Sequence, residues 1–80
     1  MKVENERLRI GKKIKSLRDI NKLTQEKLGE KAGLSYKYIG ELERGKVNVS
    51  LDSLVKIATA LEISVDELFK KDDEQVIIKN

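Results

Sequence analysis

Eighty residues with 17 Lys and Arg, 14 Asp and Glu, and neither His nor Cys carry a formal net charge of +3. A chain this short builds one small core and has little left to enclose a deep pocket, which makes small-molecule catalysis a poor fit. The missing His and Cys exclude a disulfide framework, a zinc site of the usual soft ligands and a nucleophile that relies on a histidine base, so no metal or other cofactor is expected. No apolar run of about 18 residues occurs, and the opening Met-Lys-Val-Glu-Asn-Glu lacks the apolar stretch of a signal peptide. A cytoplasmic protein without membrane association is therefore expected.

The charge is graded along the chain. Residues 1–22 hold eight basic and three acidic side chains, 23–50 five and four, and 51–80 four and seven. The amino half is the electropositive end, which suits a polyanionic partner on one side only.

Pro is absent and Gly stands only at positions 11, 29, 33, 40 and 45, so helices are the easiest elements to write. Ile10, Ile14 and Leu17 follow i, i+4, i+7 spacing with Lys12, Lys13, Lys15 and Asp19 around the other face, predicting a first helix over about 4–21. Thr24 is an N-cap for a second helix over 25–32 that turns Leu28 and Ala32 inward. Gly33 supplies a left-handed stop, and Ser35 caps a third helix over 36–44, ended by Gly45. Ile39 and Leu42 face inward there, while Lys37, Glu41 and Arg44 form an outer row. Ser50 caps a fourth helix with an apolar stripe of Leu54, Ile57, Ala58 and Leu61. Ser64-Val-Asp-Glu67 has the spacing of a capping box and predicts a short fifth helix carrying Val65, Leu68 and Phe69. The expectation is an all-α, compact five-helix domain over residues 1–70, followed by a tail at 71–80. The tail joins a charge cluster to Val76-Ile77-Ile78 and leaves open a disordered end, a short strand or a contact for a second subunit.

Gly40 to Lys46 matches the first seven positions of a phosphate-binding loop, G-x-x-x-x-G-K, but Val47 replaces the required Ser or Thr. The segment also ends a helix, where a phosphate loop opens one. The carboxylates sit on caps and helix faces rather than in a site that would separate two pKa values. Lys12, Lys13 and Lys15 read first as a solvated face, with a phosphate contact as the alternative.

The constellation that stands out is Thr24 to Gly45, T-Q-E-K-L-G-E-K-A-G-L-S-Y-K-Y-I-G-E-L-E-R-G, two short helices at a tight turn pinned by Leu28, Ala32, Leu34, Ile39 and Leu42. It resembles the helix-turn-helix of Cro and repressor proteins, the XRE family. Thr24-Gln25, Leu28, Gly33, Leu34, Ser35, Ile39, Leu42, Glu43 and Gly45 all fall at the family's spacing. The likeness extends upstream to Ile14, Leu17 and Arg18 and downstream through Ser50-Leu-Asp-Ser-Leu54 to Phe69. It implies a domain of the lambda-repressor-like type with the helix-turn-helix at about 24–44, a partner of double-stranded DNA, and a role in transcription regulation rather than catalysis. By the resemblance, Ser35, Tyr36, Lys37 and Glu41 reach base edges, with Lys37 suited to guanine and Glu41 to cytosine. Phosphate contacts fall to Gln25, Tyr38, Arg44, Lys46, Asn48 and Ser50, and Gln25 also braces the third helix. Arg18 and Glu43 resemble the family's buried ion pair.

Four positions depart from the family pattern. Gly29 and Gly40 each lower helix propensity by about 1 kcal/mol, and Gly40 gives up a contact to DNA. Asn21-Lys22 replaces a glycine turn, so one of the two must take any left-handed conformation needed there. The stretch from Glu43 to Leu54 and the length are similar to controller proteins of restriction–modification systems, and phage and mobile-element regulators share much of the pattern. A single module offers few base contacts, which predicts a homodimer on a pseudo-palindromic operator. Leu61, Ile63, Val65 and Phe69 are candidates for the dimer interface and serve equally well as the protomer's own core. The alternative function is an antitoxin or other protein-interaction module with a protein partner on the C-terminal tail.

Overall fold

The computed structural model describes residues 2–70, which form four α-helices and one 3₁₀ turn. The helices are α1 (Val3–Ile20), α2 (Gln25–Ala32), α3 (Tyr36–Glu43) and α4 (Leu51–Ala60), and the 3₁₀ turn is Val65–Phe69. The tail expectation lies outside the described residues.

Three of the helices begin as their caps predict. Thr24 Oγ1 accepts from Lys27 N–H at 3.0 Å, Ser35 Oγ from Tyr38 N–H at 3.1 Å and Ser50 Oγ from Ser53 N–H at 3.1 Å. Each bond satisfies one of the amides that a helix start leaves without a partner.

All four helices end alike, with one left-handed residue and a pair of reversed bonds. Lys22, Gly33, Gly45 and Glu62 have φ of 59°, 71°, 72° and 60°. The following amides reach back to the helix: Leu23 to Arg18 O, Leu34 to Gly29 O, Lys46 to Glu41 O and Ile63 to Ala58 O, at 2.8 to 3.0 Å. This is the Schellman ending, which glycine adopts without strain. Lys22 takes the left-handed role that the missing glycine leaves open, and Glu62 does the same after α4.

The fifth helix is corrected to a single 3₁₀ turn, and its capping box does not form. Ser64 makes no side-chain cap bond. Its hydroxyl instead bonds the Asp66 carboxylate, which together with the Asp66 amide holds that carboxyl below its ordinary pKa. Glu67, the other half of the expected box, pairs with Lys70 at 2.8 Å. Five residues give too few i→i+4 bonds to favour an α-helix over the tighter turn.

The core gathers one or more side chains from every element. Ile14, Leu28, Ile39, Leu42, Ile57 and Leu68 are fully buried, joined by Ala32, Leu54, Ala58 and Leu61. Each large member contributes about 1.5–3 kcal/mol relative to exposure. α2 packs on α3 and α4, α3 also on α1, and the 3₁₀ turn closes against α1 and α4. Arg9 on α1 secures that closure by donating to Phe69 O at 3.2 Å.

Two glycines are there for approach rather than for flexibility. A Cβ at Gly11 would lie 2.4 Å from Leu42 O and 2.8 Å from Glu43 O, so α1 crosses the end of α3 on bare backbone. A Cβ at Gly29 would lie 2.5 Å from Leu34 O. The expectation that Gly29 only weakens α2 is corrected: its missing side chain lets the chain from Leu34 to Tyr36 fold back tightly over α2.

Candidate nucleic-acid interface

α3 has two unlike ends. At its amino end Ser35, Tyr36 and Lys37 are exposed, Tyr36 to 59%. Among the described residues the side chains of Tyr36 and Lys37 have no polar partner, and Ser35, though it accepts the cap bond, keeps its hydroxyl proton to donate. Of the four residues expected to read bases, three stand exposed at the helix start and Glu41 is half-buried one turn after Lys37.

The carboxyl end is held from three sides. Arg18 on α1 grips the Glu43 carboxylate with both arms, Nε to Oε2 at 2.7 Å and Nη2 to Oε1 at 3.0 Å, and both residues are buried. Gln25 Nε2 donates to the same Oε1 at 3.0 Å, and Arg18 Nη1 donates to Leu23 O at 2.8 Å. One buried carboxylate thus accepts three hydrogen bonds and links α1, α2 and α3, while Arg18 itself ties in the loop before α2. The bond to Glu43 raises the Arg18 pKa above its ordinary value, outweighing burial, which acts in the opposite direction. A raised arginine pKa adds stability at every pH below the unfolded-state value, so the grip of the cation persists through the physiological range.

Gln25 reaches Glu43 by lying over Gly40. A Cβ on Gly40 would be 3.4 Å from Gln25 Oε1 and 3.6 Å from its Nε2. These are ordinary van der Waals distances, so the brace would tolerate a side chain at this position. The ion pair and the brace were readable from the resemblance, but the carbonyl of Leu23 and the close approach at Gly11 were not.

The phosphate candidates fall into two sets. Arg44 and Lys46 are exposed and, among the described residues, make no side-chain hydrogen bond or ion pair. Gln25, Tyr38, Asn48 and Ser50 all have partners within the protein. Tyr38 is half-buried, and its hydroxyl donates to Ser53 Oγ at 3.3 Å; Ser50 Oγ donates to the same atom at 3.1 Å, tying α3 to the start of α4. Arg7 Nη2 on α1 donates to Asn48 Oδ1, a contact that sequence reasoning missed.

The expected dimer residues also divide. Leu61 is 4% exposed and belongs to the core between α4 and the 3₁₀ turn, which leaves it no surface for a partner; this corrects that expectation. Ile63 and Val65 are half-buried, and Phe69 is 44% exposed. Leu51 and Val55, on the outer side of α4, are exposed apolar residues that the inward stripe did not include. Among the described residues no group of acids could hold a metal ion, and no helix is long and apolar enough to cross a membrane.

A short helix capped by serine, free along one side at its start and fastened to a second helix across a glycine turn, defines the helix-turn-helix class. The helix-turn-helix family model HTH_3 matches residues 14–68, and the chain belongs to that family. It is similar to the control protein C.SmaI of Serratia marcescens, with 42% identity over 62 residues covering 78% of this chain and 74% of that one. It is 41% identical over 70 residues to the immunity repressor of Bacillus phage phi105, covering 88% of this chain but only 46% of the repressor, so it spans less than half of that relative's length. Among solved structures, the restriction-modification controller protein C.AhdI from Aeromonas hydrophila superposes with a TM-score of 0.80 at 42% identity, over 81% of this chain and 98% of that one.

Proposed function

We propose that this chain is a sequence-specific DNA-binding transcriptional regulator that lays α3 in the major groove. The observation that carries the reading is the division of α3: a start with exposed Tyr36 and Lys37, unpartnered among the described residues, and an end fixed by Arg18, Gln25 and Gly11. A reading head needs both, since side chains must be free to meet base edges while their backbone keeps its register. Ser35, Tyr36, Lys37 and Glu41 read bases, and Arg44, Lys46, Gln25, Tyr38, Asn48 and Ser50 hold the phosphates. The work needs donors, acceptors and shape but no bond-breaking, so the protein is no enzyme and acts in the cytoplasm beside the DNA.

The regulator binds as a homodimer on a pseudo-palindromic operator, with half-sites about one helical turn apart. Its apolar contact draws on Ile63, Val65 and Phe69. The names of the similar proteins support the reading, the control proteins of restriction–modification systems in particular. The test is a gel shift against the DNA upstream of the protein's own gene, titrated with salt. Fragment-selective binding that weakens steeply with salt is expected; binding no better than to random DNA at moderate salt overturns the reading. Sedimentation at micromolar protein should return a dimer, and a monomer there overturns the two-fold arrangement.

A further inference from the structure

Arg7 lies outside the segment that matches the family model, yet it reaches across to the loop between α3 and α4. The first turns of α1 sit directly on that loop: a Cβ at Gly45 would lie 3.1 Å from Leu8 Cα. Arg7 Nε is buried there and has no hydrogen-bond partner among the described residues, so the pose leaves one donor unsatisfied while it delivers Nη2 to Asn48 Oδ1. A guanidinium has donors and no acceptor, whereas a carboxamide has one face of each kind. Arginine at position 7 therefore fixes which way the Asn48 amide points. With Oδ1 taken, Nδ2 of the exposed Asn48 is what remains, and among the described residues it donates to nothing. Beside it stand Lys46 and Ser50, both exposed.

We propose that Arg7 is a positioning residue for this interface: by occupying the carboxamide oxygen of Asn48 it presents the Nδ2 donors of that residue to a DNA phosphate. The inference rests on the DNA-binding reading above. Arg7 itself does not meet the phosphate, so its removal costs affinity without changing the number of phosphates neutralised. The loss passes entirely through Asn48.

The probe is a random-sequence DNA duplex at low salt, because phosphate contacts do not depend on sequence. Arg7→Ala should weaken binding about tenfold, the worth of one hydrogen bond to a charged group, and leave the salt slope unchanged. The same substitution in an Asn48→Ala background should weaken it no further. Arg7→Lys, still a donor without an acceptor, should restore most of the affinity. Asn48→Asp should keep its partner on Arg7 and its melting temperature but bind at least as poorly as Asn48→Ala, since an oxygen then faces the phosphate. This last variant keeps the test decisive should Arg7→Ala fold poorly. A salt slope reduced by about 0.9 would make Arg7 a direct phosphate contact and overturn the proposal. Equal losses in the two backgrounds, or wild-type affinity in Asn48→Asp, would overturn it as well. If the wild-type protein shows no salt-dependent binding to duplex DNA while remaining folded, the DNA-binding reading itself fails, which is a different result from either.

Discussion

The start and the end of α3 are seven positions apart and obey opposite rules. At the start, polar and aromatic side chains are exposed, and among the described residues Tyr36 and Lys37 make no side-chain bond. At the end, Glu43 accepts from Arg18 and Gln25, and Gly11 brings α1 onto the carbonyls of Leu42 and Glu43 without an intervening side chain. The contrast teaches that placement and recognition are separable in this helix. Substitutions at one end should change stability and leave selectivity to the other.

The largest expected effect comes from breaking the held end. Glu43→Ala leaves the buried Arg18 with the exposed Asp19 carboxylate at 3.4 Å in place of its two-bond partner and should lower the unfolding free energy by about 3–5 kcal/mol, read by urea denaturation. Replacing Arg18 and Glu43 together by Met and Leu should cost much less, because the buried charge leaves with its partner. Gly11→Ala comes next, at about 1–3 kcal/mol, since a carbonyl 2.4 Å from the new Cβ is backbone and the helices must part to admit it. At the free end, Lys37→Ala should change stability by less than about 0.5 kcal/mol yet relax base discrimination at one operator position by about 1–3 kcal/mol, measured as relative affinity for operators differing at single base pairs. A loss of melting temperature in Lys37→Ala, or a change of base preference in Gly11→Ala, would dissolve the distinction between the ends. The smallest effect, and of opposite sign, belongs to Lys22→Gly and Glu62→Gly. Each relieves a left-handed residue at a helix ending and should raise stability by up to about 1 kcal/mol without touching DNA affinity.

Much of this architecture was legible because its signals are local. Thr24, Ser35 and Ser50 sit one residue before their helices and can cap nothing else, and Gly33 and Gly45 fall where a helix must end left-handed. The Arg18–Glu43 pair and the Gln25 brace are long-range, and only the resemblance to a known motif made them readable. What stayed hidden is tertiary in origin. Gly11 and Gly29 look along the chain like weak points of helices, and only the packed molecule gives them a surface to lie against. The Arg7–Asn48 bond spans 41 positions and joins two residue types that carry no pairing signal. The capping box at Ser64 failed for a different reason: its glutamate found Lys70 three residues on, a competitor within the same turn. Leu61 was ambiguous from the start, since an apolar residue at the end of a stripe suits a core and an interface equally.

The three-donor cradle around Glu43 also settles how α3 looks from outside. A polyanion approaching the helix meets Lys37 and Arg44, with Glu41 as the acidic group between them. The second acid of the helix is electrically silent, its charge answered by Arg18 and its oxygens turned inward. The protein can therefore keep a carboxylate in the framework of its reading helix without raising a repulsive barrier against the phosphates, and a formal charge of only +3 understates how attractive that one face is.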